Sequence, residues 1–193
     1  MSRKRLIVGI SGASAAMLGI RTLELLGRVP GVETHLVCTR ASARTLALET
    51  DWSMRQVEAL ADVVYSPDDL GASISSGSFR TDGMIVVPCS MSTLSCIACS
   101  VTKDLLTRAA DVTLKERRRL VLMPRESPFH LGHLRRMVEV TEMGAVIAPP
   151  IPSFYHQPET IDDLIDHSIG RALDGFALEM PWMKRWTTPP AEE

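Results

Sequence analysis

Short apolar runs recur along the chain at residues 5–10, 84–88, 120–124 and 145–148, and residues 32–38 alternate enough to be a further strand. Such runs, bounded by turn residues, fit strands buried in a parallel sheet. Between them lie longer stretches whose apolar residues return every three or four positions, the spacing of one helix face. Met17, Leu18, Ile20, Leu23, Leu25 and Leu26 mark the first. A second helix opens at 39–42 and runs toward Glu49, and residues 92–110 read as a helix with an interruption. Residues 131–143 read as another helix, and 161–178 as the closing one. Alternation of strand and helix predicts an α/β fold: a three-layer, Rossmann- or flavodoxin-like parallel sheet with helices on both faces. Right-handed crossovers place every strand's carboxyl end along one edge, where such sheets bind ligands. Residues directly after the strands are therefore the informative ones: 11–14, 39–40, 88–93 and 125–128.

The length of 193 residues suits one domain, expected over 1–186, with 187–193 as a flexible tail. A net charge of -2, from 21 basic and 23 acidic residues, provides no global basic field, which argues against non-specific nucleic-acid binding. The cations Arg117, Arg118 and Arg119 read as a solvated helix end. No stretch approaches the ~18 apolar residues of a membrane span, and the run after the basic N-terminus is too short for a signal peptide. The cytoplasm is the expected compartment. Cys96 and Cys99 form a CxxC without the further ligands that zinc requires, and His130 and His133 form an HxxH without a third ligand. No metal is expected. The thiols read as small groups packed in a core, and the histidines as a surface helix face.

Gly12, Ala13 and Ser14 lie in a turn of small residues at a helix start, which fits either a phosphate or flavin cradle or a tight turn selected for packing. Ser90, Met91, Ser92 and Thr93 follow the strand at 84–88; one hydroxyl suffices for a helix cap, and three within four residues favour a polar ligand. Arg125, directly after a strand, suits an anion because guanidinium binds phosphate bidentately, and Glu126 beside it can hold the Arg or move protons. Arg108 and Asp111 stand at the i,i+3 spacing of a helical ion pair. Tyr155, in the loop 154–158, reads on its own as a loop anchor.

Taken in order, Gly9-Ile10-Ser11-Gly12-Ala13-Ser14, Glu49-Thr50-Asp51, Ser76-Gly77-Ser78-Phe79, the stretch 84–93, the stretch 108–118, Arg125-Glu126-Ser127-Pro128 and the stretch 152–158 resemble the UbiX-type flavin prenyltransferases of the homo-oligomeric flavin-containing Cys decarboxylase-like superfamily. The resemblance implies a metal-independent enzyme that joins a dimethylallyl group from dimethylallyl phosphate to N5 and C6 of reduced FMN. Its product would serve a partner UbiD-type decarboxylase. It places FMN at subunit interfaces on Gly12, Ala13, Ser14, Thr39, Ser90, Met91, Ser92, Thr93 and Arg125. The donor phosphate falls to Lys115, Arg125, Tyr155 and Arg171, with Arg108 nearby, and Trp186 covers the isoprenyl chain. Ser14, Glu49, Glu126 and Lys115 are the implied catalytic residues, and the assembly a dodecamer. Two departures stand out: Ala15 where the family usually has Gly, and Ser100-Val101-Thr102-Lys103-Asp104-Leu105 where it often reads Gly-x-x-x-Asn-Leu. Two other readings remain open, a non-catalytic FMN-delivery protein and a flavin-dependent cysteine-type decarboxylase. The latter's relatives carry a Pro-x-Ser-Ala-Asn motif, whereas residues 88–93 here hold no Asn.

Overall fold

The computed structural model describes residues 3–186, so the tail expected at 187–193 lies outside the described residues. Along the chain run β1 (Lys4–Ile10), α1 (Ala16–Gly27), β2 (Val32–Cys38), α2 (Arg40–Glu49), α3 (Met54–Glu58), β3 (Val63–Tyr65), β4 (Gly83–Cys89), α4 (Met91–Ala98), α5 (Leu105–Lys115), β5 (Arg119–Pro124), α6 (Leu131–Glu142), β6 (Val146–Ile147) and α7 (Ile161–Leu173). The strands form one six-stranded sheet in the order β3-β2-β1-β4-β5-β6, with every neighbouring pair parallel. This is the Rossmann strand order, and its switch point lies between β1 and β4, where the chain stops building toward one edge and starts toward the other.

Alternate residues of each strand feed two cores, which is why the central runs of β1, β4 and β5 are apolar on both faces. Leu6, Val8 and Ile10 pack with α1 and α7, whereas Ile7, Met84, Val86 and Leu122 pack with α4, α5 and α6. Gly9 of β1 is selected by the second layer: a Cβ there would lie 3.0 Å from the Leu106 side chain of α5.

The expected elements form, with differences at their ends. β3 and α3 escaped sequence reading because a three-residue edge strand and a five-residue helix are too short to show periodicity. The closing helix ends at Leu173, not Leu178; a 3₁₀ turn over Asp174–Phe176 leads to Ala177 in the left-handed region at φ 51°. The interruption in 92–110 is a full break over 99–104, where Ser100 adopts φ 53° and the Val101 N–H donates to the Cys96 carbonyl at 2.8 Å. A left-handed residue with that back-bond is a standard helix stop. Two surface readings also change. Cys99 is exposed at the end of α4, where its sulfur accepts from Arg136 Nη1 at 3.1 Å, so it is not a core thiol. Arg118 is not simply solvated: it donates to the carbonyls of Phe79 (2.9 Å) and Gly77 (2.7 Å) and so ties down the loop before β4.

Ala15, which opens α1, sits at φ 76°. Ala15 and Ser100 thus hold left-handed conformations that Gly adopts without a Cβ clash. Ala15→Gly and Ser100→Gly are each expected to raise stability by about 1 kcal/mol, net of the extra freedom Gly gives the unfolded chain, or roughly 2–4 °C in thermal midpoint. Thermal unfolding of the two variants checks this; an unchanged or lower midpoint would place the value of these side chains in their contacts.

Candidate active site

The turns that follow β1, β2, β4 and β5 are stitched together at the carboxyl edge of the sheet. Ser11 lies at the centre: its Oγ donates to the Pro88 carbonyl at 2.9 Å and accepts from the Ser90 N–H at 2.7 Å. The Thr39 N–H donates to the Ile10 carbonyl at 2.9 Å, and the Arg125 N–H to the Cys89 carbonyl at 3.1 Å. Four sequence-distant turns are thereby held edge to edge at the switch point.

Over them opens a cleft of ≈ 380 Å³, bordered by Gly12, Thr39, Arg40, Asp68, Ser90, Ser92, Thr93, Lys103 and Asp104. Three helices point their N-termini at it. Thr39 caps α2, Ser90 caps α4, and Asp104 caps α5 in a reciprocal box with Thr107. Each cap stabilises its helix by about 1 kcal/mol. Converging helix N-termini carry partial positive charge and favour a phosphate or another anion. Lys103 adds a full charge, its Nζ donating to Ser92 Oγ at 3.3 Å. Arg40 adds another at the rim, paired to Asp68 at 2.7 Å. Gly12 is required sterically, since a Cβ there would come within 2.4 Å of the Ala41 Cβ at the start of α2. The donor set and the room suit a phosphorylated flavin.

The structure distributes the expected site residues over three places. The first is the carboxyl edge of the sheet, at the cleft and in the neighbouring loop after β5. Ser90 Oγ donates to Thr93 Oγ1 at 3.0 Å and accepts from the Thr93 N–H at 3.1 Å, so two of the three hydroxyls serve the cap. Met91 is only 6% exposed and packs into the core, leaving its backbone alone to face a ligand. Ala13 is likewise buried, and its N–H donates to the Ser11 carbonyl. Arg125 and Glu126 are exposed on the loop after β5, where Glu126 Oε1 accepts from the Ser127 N–H at 3.0 Å.

Lys115 and Arg108 occupy the second place. Both lie on α5, whose 11 residues put Lys115 about 15 Å from the cleft end of that helix. Lys115 is bonded to Glu116, and Arg108 pairs with Asp111 at 3.0 Å while donating to the Ser75 carbonyl at 3.2 Å. The third place gathers Tyr155, Arg171 and Trp186. Tyr155 Oη lies 2.8 Å from His167 Nε2, and the Trp186 ring meets the Tyr155 ring edge-on at 5.5 Å. Arg171 and Arg185 share Asp174. The segment carrying Trp186 is seated by Gly170 of α7, whose hydrogen leaves space for Met183; a Cβ there would stand 2.4 Å from the Met183 sulfur.

Sequence reading marked Arg40 by its place after β2 but missed Asp68 and Lys103 at the cleft, because isolated charged residues carry no spacing signal. It also missed His167, whose only mark is a polar residue at a core position of an amphipathic helix. Cys89, beneath the cleft, is no nucleophile: burial pushes its thiol up to about 12.

Glu49 has a structural role that sequence did not show. Ala15 offers no side-chain cap to α1, and Glu49 supplies one from the end of α2: its Oε2 accepts from the N–H groups of Ala15 (2.8 Å) and Ala16 (3.0 Å). Burial works against the charge. The Ser14 hydroxyl, those two N–H groups and the Arg125 charge outweigh it and hold the carboxyl below its ordinary value of 4.5. A depressed folded-state pKa contributes stability that is full above the unfolded value and is lost as pH falls through the folded one. Glu49→Gln is therefore expected to cost about 0.5 kcal/mol near neutrality, screened by exposure. The gap to the parent should narrow as pH drops below 4.5. Urea unfolding across that range checks the sign; a gap constant with pH would assign the cost to shape rather than charge.

With this geometry in view, the comparisons are specific. The Flavoprotein family model matches residues 1–173. The flavin prenyltransferase UbiX of Escherichia coli strain K12 is 59% identical over 178 residues, covering 92% of this chain and 94% of the relative. The crystal structure of AnUbiX in complex with FMN and dimethylallyl pyrophosphate superposes with a TM-score of 0.94 at 52% identity, covering 97% of this chain and 100% of that one. A dodecameric FMN-dependent UbiX-like decarboxylase from Escherichia coli O157:H7 gives a TM-score of 0.92 at 51% identity, covering 95% and 100%. The chain belongs to the Flavoprotein family, within its UbiX-type flavin prenyltransferases.

Proposed function

We propose that this chain is a flavin prenyltransferase that joins the dimethylallyl group of dimethylallyl phosphate to N5 and C6 of reduced FMN, and that its product supplies a UbiD-type decarboxylase. The observation that carries the reading is the convergence of three helix N-termini and Lys103 on one switch-point cleft, in a chain 59% identical to a flavin prenyltransferase. FMN, in its reduced form, supplies the nucleophilic ring atoms that take the allylic carbon. Gly12, Ala13, Ser14, Thr39, Ser90, Met91, Ser92 and Thr93 hold it, the buried members through backbone groups, with Arg125 at the lip.

The chain's own residues then deal with the leaving group. Expulsion of phosphate places charge on its oxygens, and Arg125, Arg171, Lys115 and Tyr155 neutralise it, with Arg108 beside them. Glu126 hands a proton to or from the phosphate, and Ser14 with the neighbouring Glu49 moves a proton at the ring. Trp186 and Tyr155 give the allylic chain an aromatic wall that excludes water. Lys115 lies at the far end of α5 from its own cleft, which supports a site completed by a second copy, as in the dodecameric relative.

Anaerobic incubation of the protein with reduced FMN and dimethylallyl phosphate, followed by flavin mass spectrometry, tests this. A gain of one isoprenyl unit is expected, and unchanged FMN with tight binding would instead indicate a delivery protein. Glu126→Gln is expected to slow turnover by about 10²–10⁴-fold while FMN stays bound. Mixed oligomers of Lys115→Ala and Glu126→Gln subunits should recover part of the activity that each lacks alone. Mixtures as inactive as their parents would place both residues in one subunit's site.

A further inference from the structure

Behind Tyr155 runs a chain of hydrogen bonds whose direction depends on the tautomers of two histidines. Tyr155 Oη is 2.8 Å from His167 Nε2, and His167 Nδ1 is 2.8 Å from Ser153 Oγ. Ser153 Oγ is 3.3 Å from His156 Nδ1. The two imidazoles lie in parallel planes, 4.2 Å between centroids and tilted by 6°, so neither ring can turn freely against the other. His167 is 7% exposed. Burial, aided by the nearby Arg171 charge, holds its pKa below the ordinary value, which favours the neutral ring, whose one proton either nitrogen can hold.

With one proton per link, only two arrangements connect all four groups. In the first, the phenol donates to His167, His167 to Ser153, and Ser153 to His156, which leaves His156 with a proton on Nε2. In the second, every donor reverses: His156 donates to Ser153, Ser153 to His167 Nδ1, and His167 Nε2–H to Tyr155. His156 Nε2 is buried without a partner among the described residues. A buried N–H without an acceptor is rarer and more costly than a bare lone pair, so the second arrangement is the favoured one. It leaves the Tyr155 hydroxyl proton unused inside the protein and directed outward.

We propose that His167 is a positioning residue: as the Nε2–H tautomer, set by His156 through Ser153, it donates to Tyr155 Oη and turns the phenol proton toward the departing phosphate. The inference rests on the reading of Tyr155 as a phosphate ligand. It explains why a polar residue occupies a core position on α7 and why Tyr155, 42% exposed, is nevertheless fixed at both ends of its side chain, by His167 behind and Trp186 beside. With its proton given to His167, the hydroxyl would present only lone pairs to the anion. Directed, it presents only the proton.

The test is a double-substitution cycle in the full-length enzyme, with kcat/KM for dimethylallyl phosphate and FMN affinity as readouts. His167→Phe keeps the ring volume and removes both bonds; it is expected to lower kcat/KM about tenfold with FMN affinity unchanged. In a Tyr155→Phe background the same substitution should have almost no further effect. His167→Gln, whose amide N–H₂ reaches the position of Nε2–H, should restore most of the loss. Ser153→Ala gives a smaller loss that likewise vanishes in the Tyr155→Phe background, and it carries the test should His167→Phe fail to fold. If Tyr155→Phe alone leaves kcat/KM intact, the reading of Tyr155 fails. If Tyr155→Phe impairs the enzyme while His167→Phe and Ser153→Ala do not, or if their losses add to that of Tyr155→Phe, the positioning role is overturned.

Discussion

The Ser11 hydroxyl bridges the two halves of the sheet at their point of divergence. It donates to the carbonyl that ends β4's apolar run and accepts from the N–H that opens α4, in a site 1% exposed. In such surroundings each lost partner would leave a buried polar group unpaired, at about 1–3 kcal/mol. The bridge fixes the distance between the first turn and the Ser90 cap, and with it the width of the crevice in which a flavin would lie. The Thr39 and Arg125 backbone bonds to Ile10 and Cys89 extend the same crest to either side. Binding groups from four separate stretches of sequence thereby inherit the rigidity of the sheet.

Charge is handled with equal economy. The cations proposed to meet phosphate mostly have a carboxylate neighbour: Lys115 has Glu116, Arg108 has Asp111, and Arg171 has Asp174, while Glu49 lies near Arg125. Without such neighbours, several cations gathered around one small anion site would repel one another and loosen the fold whenever the anion was absent. The exposed pairs contribute little stability themselves. They can exchange a carboxylate for a phosphate at modest cost, which suits a site that must release an inorganic anion after each turnover.

Much of this was legible from pattern alone. The apolar runs at 84–88 and 120–124 fall within β4 and β5, because a strand buried on both faces leaves no alternative to continuous apolar residues, and the alternating segment at 32–38 coincides with β2. The positions after strands were the right places to search, because parallel topology sends all carboxyl ends to one edge. The ends of elements were less legible. Ser100 and Ala177 stop α4 and the C-terminal 3₁₀ turn in left-handed conformations that nothing in their side chains announces, and β3 is set by its pairing with β2 rather than by any pattern of its own.

The sequence by itself determined the layers, the binding edge and the residue types suited to flavin and phosphate, since each follows from local periodicity and from chemistry that a side chain carries wherever it lies. Only the tertiary structure decided which of those residues share a place. It put Glu49, from the end of α2, on the N-terminus of α1, and it separated Lys115 from the cleft by the length of α5. It also set His167 behind Tyr155. These relations depend on how helices dock and which way their ends face, and a helix spacing that brings residues i and i+4 together says nothing of what lies across the gap.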